Sequence, residues 1–153
     1  MFSKQTGLLL LLLLLTAATT TTAAGQESLF GEARGVLENR EGERHELTLE
    51  VAATPEARQT GLMFRQELSE DAGMLLVWAR PQIVGIWMAN TAVALDLLFI
   101  DGGGRIVGVH EGAVPFDETV ISSGEEVMMV LEVSAGLVSA LQLREGDRFR
   151  LVP

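Results

Sequence analysis

The chain has 153 residues, a net charge of −10, no Cys, no Tyr and one lysine, Lys4. Its length suits one domain of ordinary size, and the missing thiols exclude disulfides and thiolate metal sites. Because Lys4 falls in a segment expected to be removed, Schiff-base chemistry, a phosphate-binding P-loop and Ser–Lys dyads are excluded too.

Residues 1–24 read as a secretory signal. Lys4 supplies the positive start, Leu8 to Leu15 an unbroken apolar run, and Thr22-Ala23-Ala24 a small-residue cleavage site. The run is shorter than the ~20 residues of a spanning helix. A periplasmic or extracellular location is therefore expected, with no stable membrane span after signal removal. The remaining chain is one unit more negative, which repels a phosphate backbone and makes nucleic acid an unsuitable partner.

Residues 25–33 read as a linker and 34–153 as one globular domain. Arg34 to Arg40 and His45 to Val51 read as strands around the Glu41-Gly42-Glu43 turn, with Leu47, Leu49 and Val51 alternating against Glu46, Thr48 and Glu50. Thr54-Pro55-Glu56 carries a cap, a first-turn proline and an acid at the positive end of the dipole, opening a helix to about Phe64 that Gly61 weakens. Strands are expected over Met74 to Trp78, Ile83 to Met88 and Val93 to Ile100, the last two buried. Asp101-Gly102-Gly103-Gly104 then reads as a hairpin turn into Arg105 to His110. Val127 to Val133 continues as a strand, Ser134 is placed to cap a helix over Gly136 to Leu143, and Gly146-Asp147 turns into Arg148 to Val152. Short strands without regular β-α alternation give a single compact α+β domain. It is mainly antiparallel, a small barrel-like sheet with two short helices.

Asp96 interrupts an apolar run, and a buried carboxylate needs partners. Arg58 and Arg65 are candidates, main-chain donors are an alternative, an acid in a pocket is a third reading, and simple solvent exposure is a fourth. Asn90 and Thr91 follow Trp87 where another apolar run breaks. They serve either a local turn or the polar floor of a ligand cleft beside an aromatic platform. Arg58, Arg65, Trp87, Asn90, Thr91 and Asp96 form the candidate ligand set. Met63, Met74 and Met88 are core filler, or thioether ligands for Cu(I). His45 and His110 have no ligand spacing to each other. Ser122 or Ser123 with His110 and Asp96 or Asp101 would compose a triad, but without a nucleophile elbow. Asp96 with Glu132 would serve acid–base glycoside chemistry if both faced one cleft about 5–10 Å apart.

On these residues the chain resembles the domain-of-unknown-function 192 family of small proteins, many with export signals. The resemblance runs from about Leu47 to Val152. It rests on Val51-Ala52 with Thr54-Pro55-Glu56-Ala57-Arg58, Gly61-Leu62-Met63-Phe64-Arg65, Gly73-Met74-Leu75 and Trp87-Met88 with Asn90-Thr91. Leu95-Asp96 with Phe99-Ile100-Asp101, Ser122-Ser123, Leu131-Glu132-Val133, Ala135-Gly136 and Gly146-Asp147 complete it. It implies a β-rich α+β fold and no established reaction, ligand or cofactor. Ala89 stands where the family usually has Lys, and Ala94 where it usually has Pro. The expected function is an exported, non-catalytic binding or accessory domain without cofactor or resident metal. Its partner would be a small envelope-associated ligand or an envelope protein. The alternative is an acid–base hydrolase of cell-wall or polysaccharide substrates using Asp96 and Glu132.

Overall fold

The alternating stretch around residues 45–51 is the middle of a strand in the computed structural model, which describes residues 29–153. The secretion signal expected over 1–24 lies outside the described residues. Strand β1 (Gly31–Glu38) pairs antiparallel with β2 (Arg44–Ala52), and Asn39 Oδ1 accepts the N–H groups of Glu41 and Glu43 in the turn between them. β1 begins three residues before the expected Arg34, because Gly31 to Ala33 find main-chain partners in Leu49 to Val51.

β2 runs parallel to β3 (Ala72–Gln82), an arrangement that needs a crossover. Helix α1 (Pro55–Thr60) lies in that crossover. Thr54 Oγ1 accepts the Ala57 N–H at 3.1 Å as the N-cap, as its sequence foretells. The helix stops earlier than Phe64, since Gly61 leaves the helical region with φ +47°.

β4 (Gly85–Ile86), β5 (Leu95–Ile100), β6 (Ile106–Ala113), β7 (Ile121–Ser122), β8 (Val127–Ser134), α2 (Leu137–Ala140) and β9 (Arg148–Val152) follow. Seven strands form one curled, half-barrel sheet in the order β6-β5-β8-β3-β2-β1-β9, and β4 with β7 forms a separate two-stranded ribbon. The expectation of a buried strand over 83–88 needs correction. Only Gly85 and Ile86 pair, while Ile83 and Trp87 are exposed. The apolar residues Val84, Ile86 and Met88 instead cover the sheet from outside.

Two apolar clusters divide the interior by sheet face. One draws on all seven strands, through Leu37, Leu49, Leu75, Leu98, Ile106, Leu131 and Phe149, and includes Val138 of α2; it fills the inside of the curl. The other joins Met74, Leu76, Leu95, Leu97 and Val130 to Ala57, Leu62, Ile86 and Met88, so α1 and the ribbon segment roof the opposite face. The candidate site lies in this outer layer.

Candidate functional site

β8 carries Glu132 in a strand whose other residues, up to the terminal Ser134, are apolar. Register sets it between Met74 of β3 and Leu97 of β5, on the outer face of the sheet. Its side chain is the floor of a cavity of about 280 Å³. The segment 58–63 forms one wall, Leu76 and Trp78 of β3 another, and Ile86, Trp87, Met88 and Thr91 close the third side. The volume falls just below the ~300–1,000 Å³ usual for small-molecule sites.

Glu132 is 5% exposed, and its carboxyl makes no hydrogen bond or ion pair among the described residues. Burial pushes its pKa up to about 7, because the charged form loses its water without gaining a partner. Gly61 lies directly over the acid. A Cβ built on it would stand 3.8 Å from Glu132 Oε2, an ordinary van der Waals contact, so the position calls for glycine through its φ of +47° rather than through lack of space.

Arg58 also lines the cavity, but its guanidinium is engaged. Nη1 donates to the carbonyls of Ala53 at 2.6 Å and Val77 at 2.8 Å, and the group lies 5.2 Å from the Trp78 ring centroid. Arg58 thereby ties α1 to β3 and sets the Trp78 wall. Thr91 lines the cavity and donates its hydroxyl to Ala89 O.

The remaining expected residues separate. Arg65 bonds Glu50 at 2.6 Å, away from the cavity lining. Asn90 lies in the left-handed region at φ +53° and joins neighbouring turns, its carbonyl accepting the Phe64 N–H and its Nδ2 lying 4.0 Å from Met63 Sδ. Met63 and Met88 line the cavity, and Met74 is packed in the core beneath.

Asp96 is fully buried and outside the cavity, and neither expected arginine is its partner. Its carboxylate accepts the main-chain N–H groups of Gly112, Gly136 and Val138 at 2.9, 2.9 and 3.0 Å. It therefore caps α2 from a neighbouring strand and pins the β6 end, the main-chain alternative among its readings. Ser134, expected to cap that helix, instead donates to Leu68 O. The two-carboxylate arrangement also needs correction. Asp96 pairs with Val133 and Leu97 with Glu132, so period-2 alternation sends the two acids to opposite faces of the sheet.

The triad members do not meet. Ser123 bonds Glu125 O and the Val84 N–H, Ser122 accepts from Gly124, and Asp101 accepts from Gly103 and Arg105 within its turn. His45 and His110 are four strands apart in the sheet order. Among the described residues no group of three His, Asp or Glu side chains is placed to hold a metal. Trp78 and Gly61 are site residues that the candidate set lacked. Trp78 was signalled by its spacing with Met74 and Leu76, which puts all three on one strand face.

Comparison with known proteins agrees with this architecture. The family profile for DUF192, described as uncharacterized ACR, matches residues 33–151. A structure from Sinorhizobium meliloti 1021, described as a candidate transcription regulator, is similar with a TM-score of 0.80 and 41% identity, covering 82% of this chain and 97% of its own. A protein of unknown function from Novosphingobium aromaticivorans DSM 12444 is similar with a TM-score of 0.75 and 32% identity, covering 78% of this chain and 84% of its own. No curated protein matches. With a profile spanning nearly the whole described chain, the protein belongs to the DUF192 family.

Proposed function

We propose that the protein is an exported, non-catalytic binding domain whose ligand site is the cavity between α1, β3 and the 85–91 segment. The observation that carries this reading is Glu132, a buried carboxyl without a partner at the floor of an aromatic-walled cavity. Buried polar groups are ordinarily satisfied, and one left open toward a cavity suits a ligand that completes it. The ligand is a small molecule of the envelope, in keeping with the signal-like residues 1–24. The Sinorhizobium likeness does not carry a nucleic-acid role here, since a net charge of −10 repels phosphate.

A thermal-shift screen of the purified chain against muropeptides, oligosaccharides, organic anions, organic amines and metal ions tests the reading. A ligand that binds the native state raises the melting temperature with concentration. The rise is expected to shrink in Glu132→Gln and in Trp87→Ala, whose half-exposed ring can be removed without opening the core. A rise of equal size in both variants would move the site elsewhere, and turnover of an oligosaccharide would replace binding with catalysis.

A further inference from the structure

Resting on the reading of the cavity as a ligand site, we propose that it takes a small organic amine. The ammonium group meets the Glu132 carboxylate, and the apolar body lies against Trp87, Met63 and Met88. Three observations converge on a cation. The first is the missing countercharge. A desolvated carboxylate is costly unless it is paired or hydrogen-bonded, and Glu132 makes no hydrogen bond or ion pair among the described residues, the Arg58 guanidinium in the same lining being turned to two carbonyls. The second is the wall chemistry, since tryptophan faces attract cations. Trp78 already holds the Arg58 guanidinium on its ring, and Trp87 is the half-exposed ring at the mouth. The third is the whole-chain charge of −10, which raises the local concentration of cations.

The charged groups around Glu132 leave it as the available anion. From the α1 side, Arg58 is held by two carbonyls, and on β3 Arg80 lies exposed further along the strand. Two strands away on one side, Glu50 shares the row and face of Glu132 but is neutralised by Arg65. Two strands away on the other, His110 occupies the same row beyond Leu97. Each lies about 10 Å distant across the sheet. An anionic ligand would meet the ionised Glu132 with like charge.

The sign of the pH dependence separates ligand classes. An ammonium binds the ionised acid and strengthens as pH rises through the Glu132 pKa of about 7. For a probe bound only by the carboxylate, affinity rises about tenfold from pH 6 to pH 8, while an alkylammonium itself stays protonated. A neutral acceptor bound by the protonated acid weakens over the same range.

Calorimetric titration of the purified chain with 2-phenylethylammonium and its neutral counterpart 2-phenylethanol tests the proposal at pH 6 and pH 8. The expected result is selective binding of the amine, about tenfold tighter at pH 8. Glu132→Gln should abolish that pH dependence and the selectivity, and Trp87→Ala should weaken binding at both pH values. Equal or tighter binding of the alcohol, or amine affinity unchanged in Glu132→Gln but weakened in Trp87→Ala, overturns the ammonium assignment and leaves the cavity reading intact; affinity unchanged in both variants overturns both readings. No amine binding, while another class in the thermal-shift screen stabilises the chain through the cavity, likewise overturns only the ligand class. Failure of every probe overturns both.

Discussion

Glu132 and Asp96 sit on neighbouring strands with opposite surroundings, and their energetic consequences are opposite. Glu132 is buried without a partner, so its native pKa of about 7 lies above the 4.5 of an ordinary glutamate. The native state therefore binds more protons than the unfolded chain between those values. Below about pH 4.5 both states are protonated and the group costs nothing; stability falls as pH rises toward 7 and levels off above it. The difference corresponds to about 3 kcal/mol. Glu132→Gln keeps the shape and removes the ionisation, so its stability relative to the parent should climb between pH 5 and pH 8 in urea denaturation. A constant difference across that range would contradict the burial argument. Asp96 serves three main-chain donors at once. Asp96→Ala orphans all three, the Val138 N–H in the interior and the other two at its edge, and a loss of about 3 kcal/mol is expected. Amide hydrogen exchange should speed up most at Gly136 and Val138; unchanged protection there would exclude the capping role.

At the scale of elements, α1 is too short to stand on its own propensity and is held from outside. Thr54 closes its first turn, and Arg58 bonds the carbonyls of Ala53 and Val77 while lying over Trp78. Thr54→Ala should cost about 1 kcal/mol. Arg58→Ala should cost more, about 2 kcal/mol, because two carbonyls lose a charged donor and Trp78 loses its cover. Tryptophan fluorescence should shift in the Arg58 variant and stay unchanged in the Thr54 one. The start of this helix was legible because Thr54, Pro55 and Glu56 act through local backbone chemistry. The strands β2, β6, β8 and β9 were legible for the same local reason, alternation or a bounding turn. What local pattern cannot express is the face a residue takes in a strand covered on both sides. β5 is buried at all six positions, so its apolar run has no alternation to read. Asp96 thus stood out as a polar break and Glu132 entered only as its possible partner acid, and only the register of β5 against β8 separates their faces. The segment 83–88 misled for a related reason: its apolar residues cover the sheet, and apolarity alone does not distinguish a covering ribbon from a core strand. Of the expected ligand set, Arg58, Trp87 and Thr91 line one cavity, whereas Arg65 and Asn90 belong to adjoining pairs and turns.

The whole molecule depends on how a seven-stranded sheet manages its ends. β6 and β9 are the two edges, and exposed edges invite pairing with other chains. Here the curl brings them together at one corner, where Arg105 bridges Arg148, the Phe149 N–H donates to Gly104 O and the Ile106 N–H donates to Asp147 O. Phe149 then inserts into the inner cluster that all seven strands share. The corner requires glycine at 104, in the Asp101-Gly102-Gly103-Gly104 turn. Its φ is +79°, and a Cβ there would lie 2.4 Å from Phe149 O, a backbone atom that cannot swing aside. Gly104→Ala must therefore either open the corner or strain both strands. A loss of about 2–4 kcal/mol is expected, with faster amide exchange at Phe149 and Ile106 and a greater tendency to associate through the freed edges. Because Glu132 faces the opposite side of the sheet, ligand-dependent stabilisation should survive in the folded fraction of that variant. Concentration-dependent light scattering beside the thermal-shift assay checks both halves. A variant as stable and monomeric as the parent would mean that the corner contact does not hold the curl together.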